Sequence, residues 1–192
     1  MSQGLKVLLT GAPGSGKTTL IRAVVGELDP SRVVGFTTEE IREEGERLGF
    51  RVRLLHGKGS GILAHRSVSG GPRVGRYGVE VVAFEELVLP FLEVEPEPGV
   101  LYVIDEVGKM ECLSPRFARA ARRLLEGPAA VLATIPLRGV PFLAKIRAGQ
   151  QVTTFHVRAG QREEIRREVL NLLGDDVFPP HSPRGEGSGE RA

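Results

Sequence analysis

The chain has 192 residues, of which 41% are hydrophobic and 26% are charged, and its formal net charge is +2. These values are typical of one globular domain. The small net charge gives no electrostatic case for nucleic acid or an anionic membrane as a partner. No apolar run reaches the roughly 18 residues of a membrane helix, and the first strand leaves no room for a signal peptide. The one cysteine, Cys112, excludes an internal disulfide. We therefore expect a cytoplasmic protein, and we expect it to be a monomer.

The basic residues are mostly arginine, with 21 Arg and 5 Lys, and Asn171 is the one asparagine. Many charges with few thermolabile residues indicate a thermostable protein. A GC-rich genome, which also favours arginine, explains the same composition. A melting temperature in the ordinary mesophile range would contradict the first interpretation.

The first third of the chain begins with an alternation of strand and helix. Lys6–Thr10 is predicted to be a short buried strand, and apolar residues at helical spacing predict a helix over Thr18–Leu28. Val33–Ile41 and Phe50–Leu55 then resemble the two strands of a hairpin. Ile62–His65 is a candidate for a third strand of the same kind.

The next segment is less regular. Ser67–Gly78 is rich in glycine and arginine and is predicted to be a mobile loop. Glu80–Ala83 is predicted to be a short strand, followed by a helix over Phe84–Glu93 whose length Pro90 limits.

The second half returns to buried strands that alternate with helices. Ser114 and Pro115 form a typical helix start, with serine as N-cap and proline as the first helical residue. The predicted strands are 100–104, 129–134 and 152–157, and the predicted helical segments are 115–125, 141–147 and 161–173. This pattern predicts an α/β fold with a largely parallel central sheet that antiparallel strands extend at one edge. We expect one domain over residues 1–174 and a disordered Pro/Gly-rich tail over 175–192.

The segment that follows the first strand matches the phosphate-loop pattern G-x-x-x-x-G-K-[ST] without a mismatch. Its glycines allow successive backbone N–H groups to point at phosphate oxygens, and the helix that follows presents its positive end. Lys17 is expected to reach the β- and γ-phosphates, and the Thr18 hydroxyl is expected to ligate Mg²⁺. The candidate nucleotide-binding residues here are Gly11, Ala12, Pro13, Gly14, Ser15, Gly16, Lys17, Thr18 and Thr19.

A second acidic segment supplies the carboxylates that such a site needs. Asp105 follows an apolar strand, so it is expected at the carboxyl end of that strand, where it would hold Mg²⁺. Glu106 comes next and is the candidate general base that polarises water. The nucleotide-contacting residues of this segment are predicted to be Leu101, Tyr102, Val103, Ile104, Asp105, Glu106, Val107 and Gly108.

Other polar residues have two interpretations each. Lys109 either stabilises charge on the γ-phosphate as a catalytic cation or pairs with Glu111 on the surface. Thr134 either contacts the γ-phosphate or water, or caps its strand. Arg73 and Arg76 are either arginine fingers or solvated loop residues.

Several strings of residues occur in one order along residues 5–172. They are Gly35-Phe36-Thr37-Thr38-Glu39-Glu40, Val74-Gly75-Arg76-Tyr77-Gly78 and Ile104-Asp105-Glu106-Val107-Gly108-Lys109-Met110-Glu111, after the phosphate loop. With them the chain resembles the small nucleoside-triphosphatases of thermophiles, whose animal relatives are called cancer-related nucleoside-triphosphatases. The resemblance implies a RecA-like P-loop fold in three layers. It also implies Mg²⁺-dependent hydrolysis of nucleoside triphosphates to diphosphate and phosphate, with broad base tolerance.

Two other functions are kept beside hydrolysis. A nucleotide or small-molecule kinase would use Glu106 as base for an acceptor hydroxyl and the Gly70–Arg76 segment as a lid. A switch or a nucleic-acid-driven ATPase would need a strand-binding channel and an arginine finger from a neighbour, which the composition does not favour.

Overall fold

The structure, a computed structural model, describes residues 4–137, 140, 142–147 and 152–177. Within these residues nine strands form one mixed sheet in the order β5-β6-β4-β3-β2-β7-β8-β1-β9. The strands are β1 (Lys6–Thr10), β2 (Val33–Glu43), β3 (Glu46–Leu54), β4 (Ser60–His65), β5 (Arg73–Val74), β6 (Tyr77–Val79), β7 (Leu101–Ile104), β8 (Ala130–Thr134) and β9 (Val152–His156). The helices are α1 (Lys17–Val25), α2 (Val81–Leu92), α3 (Pro115–Glu126), α4 (Phe142–Arg147) and α5 (Arg162–Asp176).

The sheet has a parallel half and an antiparallel half. Strands β2, β7, β8, β1 and β9 run parallel to their neighbours. Strands β3, β4, β6 and β5 continue the sheet beyond β2 in antiparallel pairs. The predicted α/β fold with antiparallel strands at one edge is therefore confirmed. The carboxyl ends of the five parallel strands meet at one edge, where open α/β sheets bind ligands.

Helices cover both faces of the sheet, which gives the three predicted layers. On one face α2 and α3 bury Phe84 and Phe117 against Phe36 of β2, with ring centroids 5.8 and 6.1 Å from the Phe36 ring. On the other face α1 and α5 pack their apolar sides against β1, β7 and β8. None of the helices in the described residues combines the length and apolar character of a bilayer span.

Two local predictions for residues 67–83 were wrong. The Gly-rich loop contains strands β5 and β6, and β6 pairs with β4 because Tyr77 is buried with its ring 5.3 Å from that of Phe50. The strand predicted over Glu80–Ala83 is instead the start of α2. Although a run of valines favours a strand locally, Phe84 N–H donates to the Glu80 carbonyl at 3.0 Å, and burial of Phe84 in the core favours the helix.

Helix α2 includes Pro90 and ends at Leu92, one residue before its predicted end, whereas helix α5 extends past its predicted end at Leu173. Helix α2 continues through Pro90, which lies on the exposed side of the helix. Helix α5 reaches Asp176, and the Val177 that follows is buried, with its carbonyl accepting a hydrogen bond from Arg32 at 3.0 Å. Residues 178–192 of the predicted tail lie outside the described residues, and its disorder stays a prediction.

The start of α3 shows the predicted N-cap. Ser114 Oγ accepts a hydrogen bond from Phe117 N–H at 2.9 Å and donates one to Glu85 at 2.5 Å. Replacing Ser114 by Ala is expected to lower the free energy of unfolding by about 1–2 kcal/mol, because both bonds are lost in a buried place. Urea denaturation measures the loss, with Ser69→Ala in an exposed loop as control. Equal stability of the two variants would contradict this role for Ser114.

Candidate active site

The phosphate loop connects β1 to α1 as predicted. Thr10 ends β1, and Gly16 caps α1 with a φ of 92°, a left-handed conformation that favours glycine. No side chain caps the N-terminus of α1, so the first N–H groups of this helix are left for a ligand. A helix start of this kind, with its positive dipole end, is a ready site for a phosphate group.

The loop packs too tightly for larger residues. A Cβ at Gly11 would lie 2.6 Å from the carbonyl oxygen of Val157 and 2.9 Å from Ser15 Oγ. Ser15 Oγ is itself buried and has no hydrogen-bond partner among the described residues. A buried polar atom without a partner is costly unless a ligand satisfies it, so the loop geometry fits a bound polar group.

Lys17, which is expected to bind the β- and γ-phosphates, lies across the phosphate loop. Its Nζ donates to the carbonyl oxygens of Gly11 and Ala12 at 3.1 and 3.2 Å. These are modest contacts in a half-exposed place, so phosphate oxygens of higher charge can replace the carbonyl oxygens as acceptors. The loop thus holds a cation beside the N–H groups that α1 presents.

Asp105 lies where the sequence predicts it, at the end of β7 and two strands from β1. It is 1% exposed, and its carboxylate accepts hydrogen bonds from Thr134 Oγ1 at 2.7 Å and from Thr38 N–H at 3.3 Å. Burial raises the pKa of this carboxyl, and the nearby Thr134, Thr18 and Thr38 oppose the shift. Thr134 was expected either to contact the γ-phosphate or water or to cap its strand. In the structure its hydroxyl instead orients the Asp105 carboxylate.

The two predicted Mg²⁺ ligands lie together. The Thr18 side chain lies close enough to the Asp105 carboxylate to lower its pKa, although the two residues are 87 positions apart in the chain. A hydroxyl and a carboxylate are hard oxygen donors, and Mg²⁺ is commonly held by one or two such groups together with substrate phosphates and water. The donor set at this point therefore fits Mg²⁺.

Glu106 lies in the wall of a cavity of about 950 Å³ that also includes Lys17, Thr18 and Thr38. Burial raises the pKa of its carboxyl, Lys17 lowers it, and Asp105 raises it further. A carboxylate that faces the phosphate loop, with its pKa moved toward neutrality, is suited to accept a proton from water at neutral pH.

Glu111 is a site residue whose position the sequence does not reveal. It is 5% exposed and accepts a hydrogen bond from Gly108 N–H at 3.1 Å. A Cβ at Gly108 would lie 2.7 Å from Glu111 Oε2 and 3.0 Å from Glu106 Oε1, so the two carboxyl groups flank the same small space. Burial, with the nearby Glu106 and Asp105, raises the pKa of Glu111 to about 8. The protonated form of Glu111 is therefore favoured at pH 7, and because the side chain is buried it is not the surface partner for Lys109 that one interpretation suggested.

Some residues chosen from the sequence do not line the cavity. Lys109 is exposed outside it. Arg73 donates to the carbonyl oxygens of Val68 and Arg76, and Arg76 donates to the Tyr77 hydroxyl, so both brace the β5–β6 hairpin. The buried residues of the acidic segment are core residues that position Asp105 rather than contact the cavity: Leu101, Tyr102, Val103, Ile104 and Val107.

The cavity also includes residues that sequence reasoning did not select. Arg22 of α1 donates to Glu39 at 2.8 Å, and Arg42 and Arg47 share Glu40 at 2.6 and 2.7 Å. Arg22 adds positive potential near Asp105. The string Thr38-Glu39-Glu40 was noted for the resemblance, but only the pairing of β2 with β7 places it beside Asp105.

Known proteins resemble this chain along most of its length. Residues 6–170 match the family model described as NTPase. The chain belongs to this NTPase family. It is 38% identical to the nucleoside-triphosphatase THEP1 of Thermotoga sp. strain RQ2 over 88% of this chain and 95% of that protein. It is 39% identical to the human cancer-related nucleoside-triphosphatase over 87% of this chain and 95% of that protein.

Solved structures of the family share the fold. The crystal structure of THEP1 from Aquifex aeolicus matches with a TM-score of 0.79 at 36% identity, over 88% of this chain and 99% of that one. The solution structure of the human cancer-related nucleoside triphosphatase matches with a TM-score of 0.74 at 35% identity, over 90% of this chain and 98% of that one. The family resemblance and the fold expected from the sequence are confirmed.

Proposed function

We propose that this chain hydrolyses nucleoside 5′-triphosphates to nucleoside diphosphate and phosphate, with Mg²⁺ as cofactor. The observation that carries the proposal is the position of Glu106, whose carboxyl group shares one cavity with the phosphate loop and Lys17. The names of the nucleoside-triphosphatase relatives support the same activity.

The residues divide the work as follows. The N–H groups of the loop and Lys17 hold the β- and γ-phosphates and neutralise their charge. Glu106 accepts a proton from water as the water oxygen bonds to the γ-phosphorus, and the bond to the β–γ bridging oxygen breaks. Mg²⁺ held by Thr18 and Asp105 would neutralise charge on the phosphate oxygens. Thr134 and Thr38 keep the Asp105 carboxylate in one orientation.

Broad base tolerance is part of the proposal. The sequence contains no Asn-Lys-x-Asp string, which reads guanine in GTP-specific proteins of the P-loop class. The residues assigned above all act on the triphosphate, which every nucleoside triphosphate shares. Substrate choice by base is then expected to be weak.

Phosphate release tests the proposal. Purified protein is incubated with ATP, GTP, CTP and UTP, and with the corresponding diphosphates, with Mg²⁺ and with excess chelator. We expect release from all four triphosphates, with rates within about tenfold of each other, and loss of release with chelator. Release confined to one base, or release that chelator leaves unchanged, would contradict the proposal. A parallel arm with RNA tests the expectation that nucleic acid does not stimulate the reaction.

A kinase remains the second candidate, because the cavity continues past Glu106 to Arg42, Arg47 and Phe50 of the β2–β3 hairpin. This space could hold an acceptor beside the γ-phosphate. The Gly70–Arg76 lid of the original hypothesis does not line the cavity, so it adds no support. Adding nucleoside monophosphates to the assay separates the two functions: a phosphorylated acceptor by mass spectrometry, formed faster than free phosphate, would favour the kinase.

A further inference from the structure

A second cavity adjoins the phosphate loop. It has a volume of about 320 Å³ and lies between α1 and the start of α5, with Thr19 in the wall of both cavities. Helix α1 also contributes Leu20 and Ala23 to its walls, and the other lining residues come from the loop before α5 and from the start of α5: Gly160, Arg162, Glu163 and Arg166. Hydrolysis of the γ-phosphate as described above makes no use of this space.

The order of the strands indicates how a bound triphosphate is oriented relative to the two cavities. Asp105, at the end of β7, lies on one side of β1, and the loop after β9 lies on the other side. This loop lies against the phosphate loop, because a Cβ at Gly11 would be 2.6 Å from the carbonyl oxygen of Val157. A triphosphate with its γ-phosphate toward Glu106 therefore has its other end toward the cavity between α1 and α5.

The chemistry of this cavity suits the flat face of a ring system more than its edge. Ala23 and Gly160 are exposed and present no functional group, so they leave a surface free of hydrogen-bonding side chains. Glu163 and Arg166, which also line the cavity, are held in an ion pair with each other, and Arg166 pairs in addition with Glu27. Paired groups of this kind are poorly placed to read the edge of a base.

Arg162 is different from its neighbours. It takes part in no ion pair among the described residues, and its guanidinium group lies against the phosphate loop, 3.1 Å from where a Cβ at Gly16 would be. A planar guanidinium group stacks well on aromatic faces, and this attraction does not depend on the pattern of donors and acceptors along the ring edge.

We infer that the cavity between α1 and α5 holds the nucleoside of the substrate, with Arg162 stacked on the base and no residue reading its edge. This inference rests on the proposed function and deepens it. It gives a structural reason for base tolerance, because stacking contributes similar affinity for purines and pyrimidines.

The test compares nucleoside triphosphates with inorganic tripolyphosphate, which fits the phosphate loop but has no nucleoside. Dissociation constants for ATP, GTP, CTP, UTP and tripolyphosphate are measured by calorimetry on the full chain. Arg162→Ala is expected to weaken all four nucleotides by about 5- to 20-fold and tripolyphosphate by less than twofold. Arg167→Ala removes a cation from the same helix outside the cavity, and it is the matched control, with all affinities within twofold of wild type.

A second variant tests the cavity without relying on the arginine. Ala23→Trp fills the cavity from the exposed face of α1 and is expected to weaken the nucleotides more than tenfold while leaving tripolyphosphate unchanged. Equal loss for nucleotides and tripolyphosphate in Arg162→Ala would place Arg162 on the phosphates and overturn the inference. Weaker binding of only one of the four nucleotides in Arg162→Ala would overturn the inference as well. Unchanged nucleotide binding in both variants would also overturn it. If wild type binds neither the nucleotides nor tripolyphosphate, the proposed function itself fails.

Discussion

Replacing Glu106 by Gln is expected to reduce kcat for phosphate release from ATP by about 10²- to 10³-fold. The amide keeps the size of the side chain but cannot accept a proton from water. Nucleotide affinity is expected to stay within about threefold of wild type or to become tighter, because the phosphate loop makes the contacts and a nearby negative charge is removed. The two measurements are phosphate release under saturating ATP and calorimetric binding.

Glu40 provides a matched control, because its carboxylate lines the same cavity but is held by Arg42 and Arg47. Glu40→Gln is expected to keep kcat within about threefold. If Glu106→Gln retains wild-type turnover, Glu106 is not the general base. In wild type, activity is also expected to fall as the pH drops through the raised pKa of Glu106, because only the carboxylate form accepts a proton.

Glu111 is expected to make the unliganded protein less stable as the pH rises. Its pKa is about 8 in the folded protein against 4.5 in its ordinary state, because burial disfavours the charged form. Between these two values the folded state binds the extra proton, so the free energy of unfolding falls as the pH rises from about 4.5 to about 8. The full loss is on the order of 5 kcal/mol, at about 1.4 kcal/mol for each unit of pKa difference.

Glu111→Gln isolates this effect, because the amide has the shape of the neutral acid and keeps an oxygen for Gly108 N–H. We expect the variant and wild type to have similar urea midpoints at pH 5 and the variant to be markedly more stable at pH 8. The free energy of unfolding is plotted against pH for the variant and for wild type, and one curve is subtracted from the other. The subtraction removes the contributions of Asp105, Glu106 and the buried Lys6, whose pKa values are also shifted.

The exposed Glu164→Gln variant is the control, and its curve is expected to follow wild type. Parallel curves for Glu111→Gln and wild type would show that Glu111 is ionised in the folded protein. Because the protonated form of Glu111 is favoured at pH 7, Glu111→Gln is also expected to release phosphate at a rate within about threefold of wild type at that pH.

The two wrong predictions for residues 67–83 have a common cause. Residues 67–83 carry local signals for a loop and a strand, but contacts with distant residues decide their structure. Tyr77 packs on Phe50 of β3, and Phe84 packs between Phe36 and Phe117. Local propensity is worth a few tenths of a kcal/mol for each residue, whereas burial of one aromatic side chain is worth about 2 kcal/mol.

The sequence by itself determined the features of this protein that depend on neighbours in the chain. The phosphate loop needs glycines, a lysine and a hydroxyl at fixed spacing between a strand and a helix, and Asp105 and Glu106 follow an apolar strand directly. Only the tertiary structure decided which distant groups meet these residues. Thr38, Thr134 and Glu111 surround the acidic pair, and Arg162 lies on Gly16, because strand order and helix packing set distances that sequence separation does not constrain.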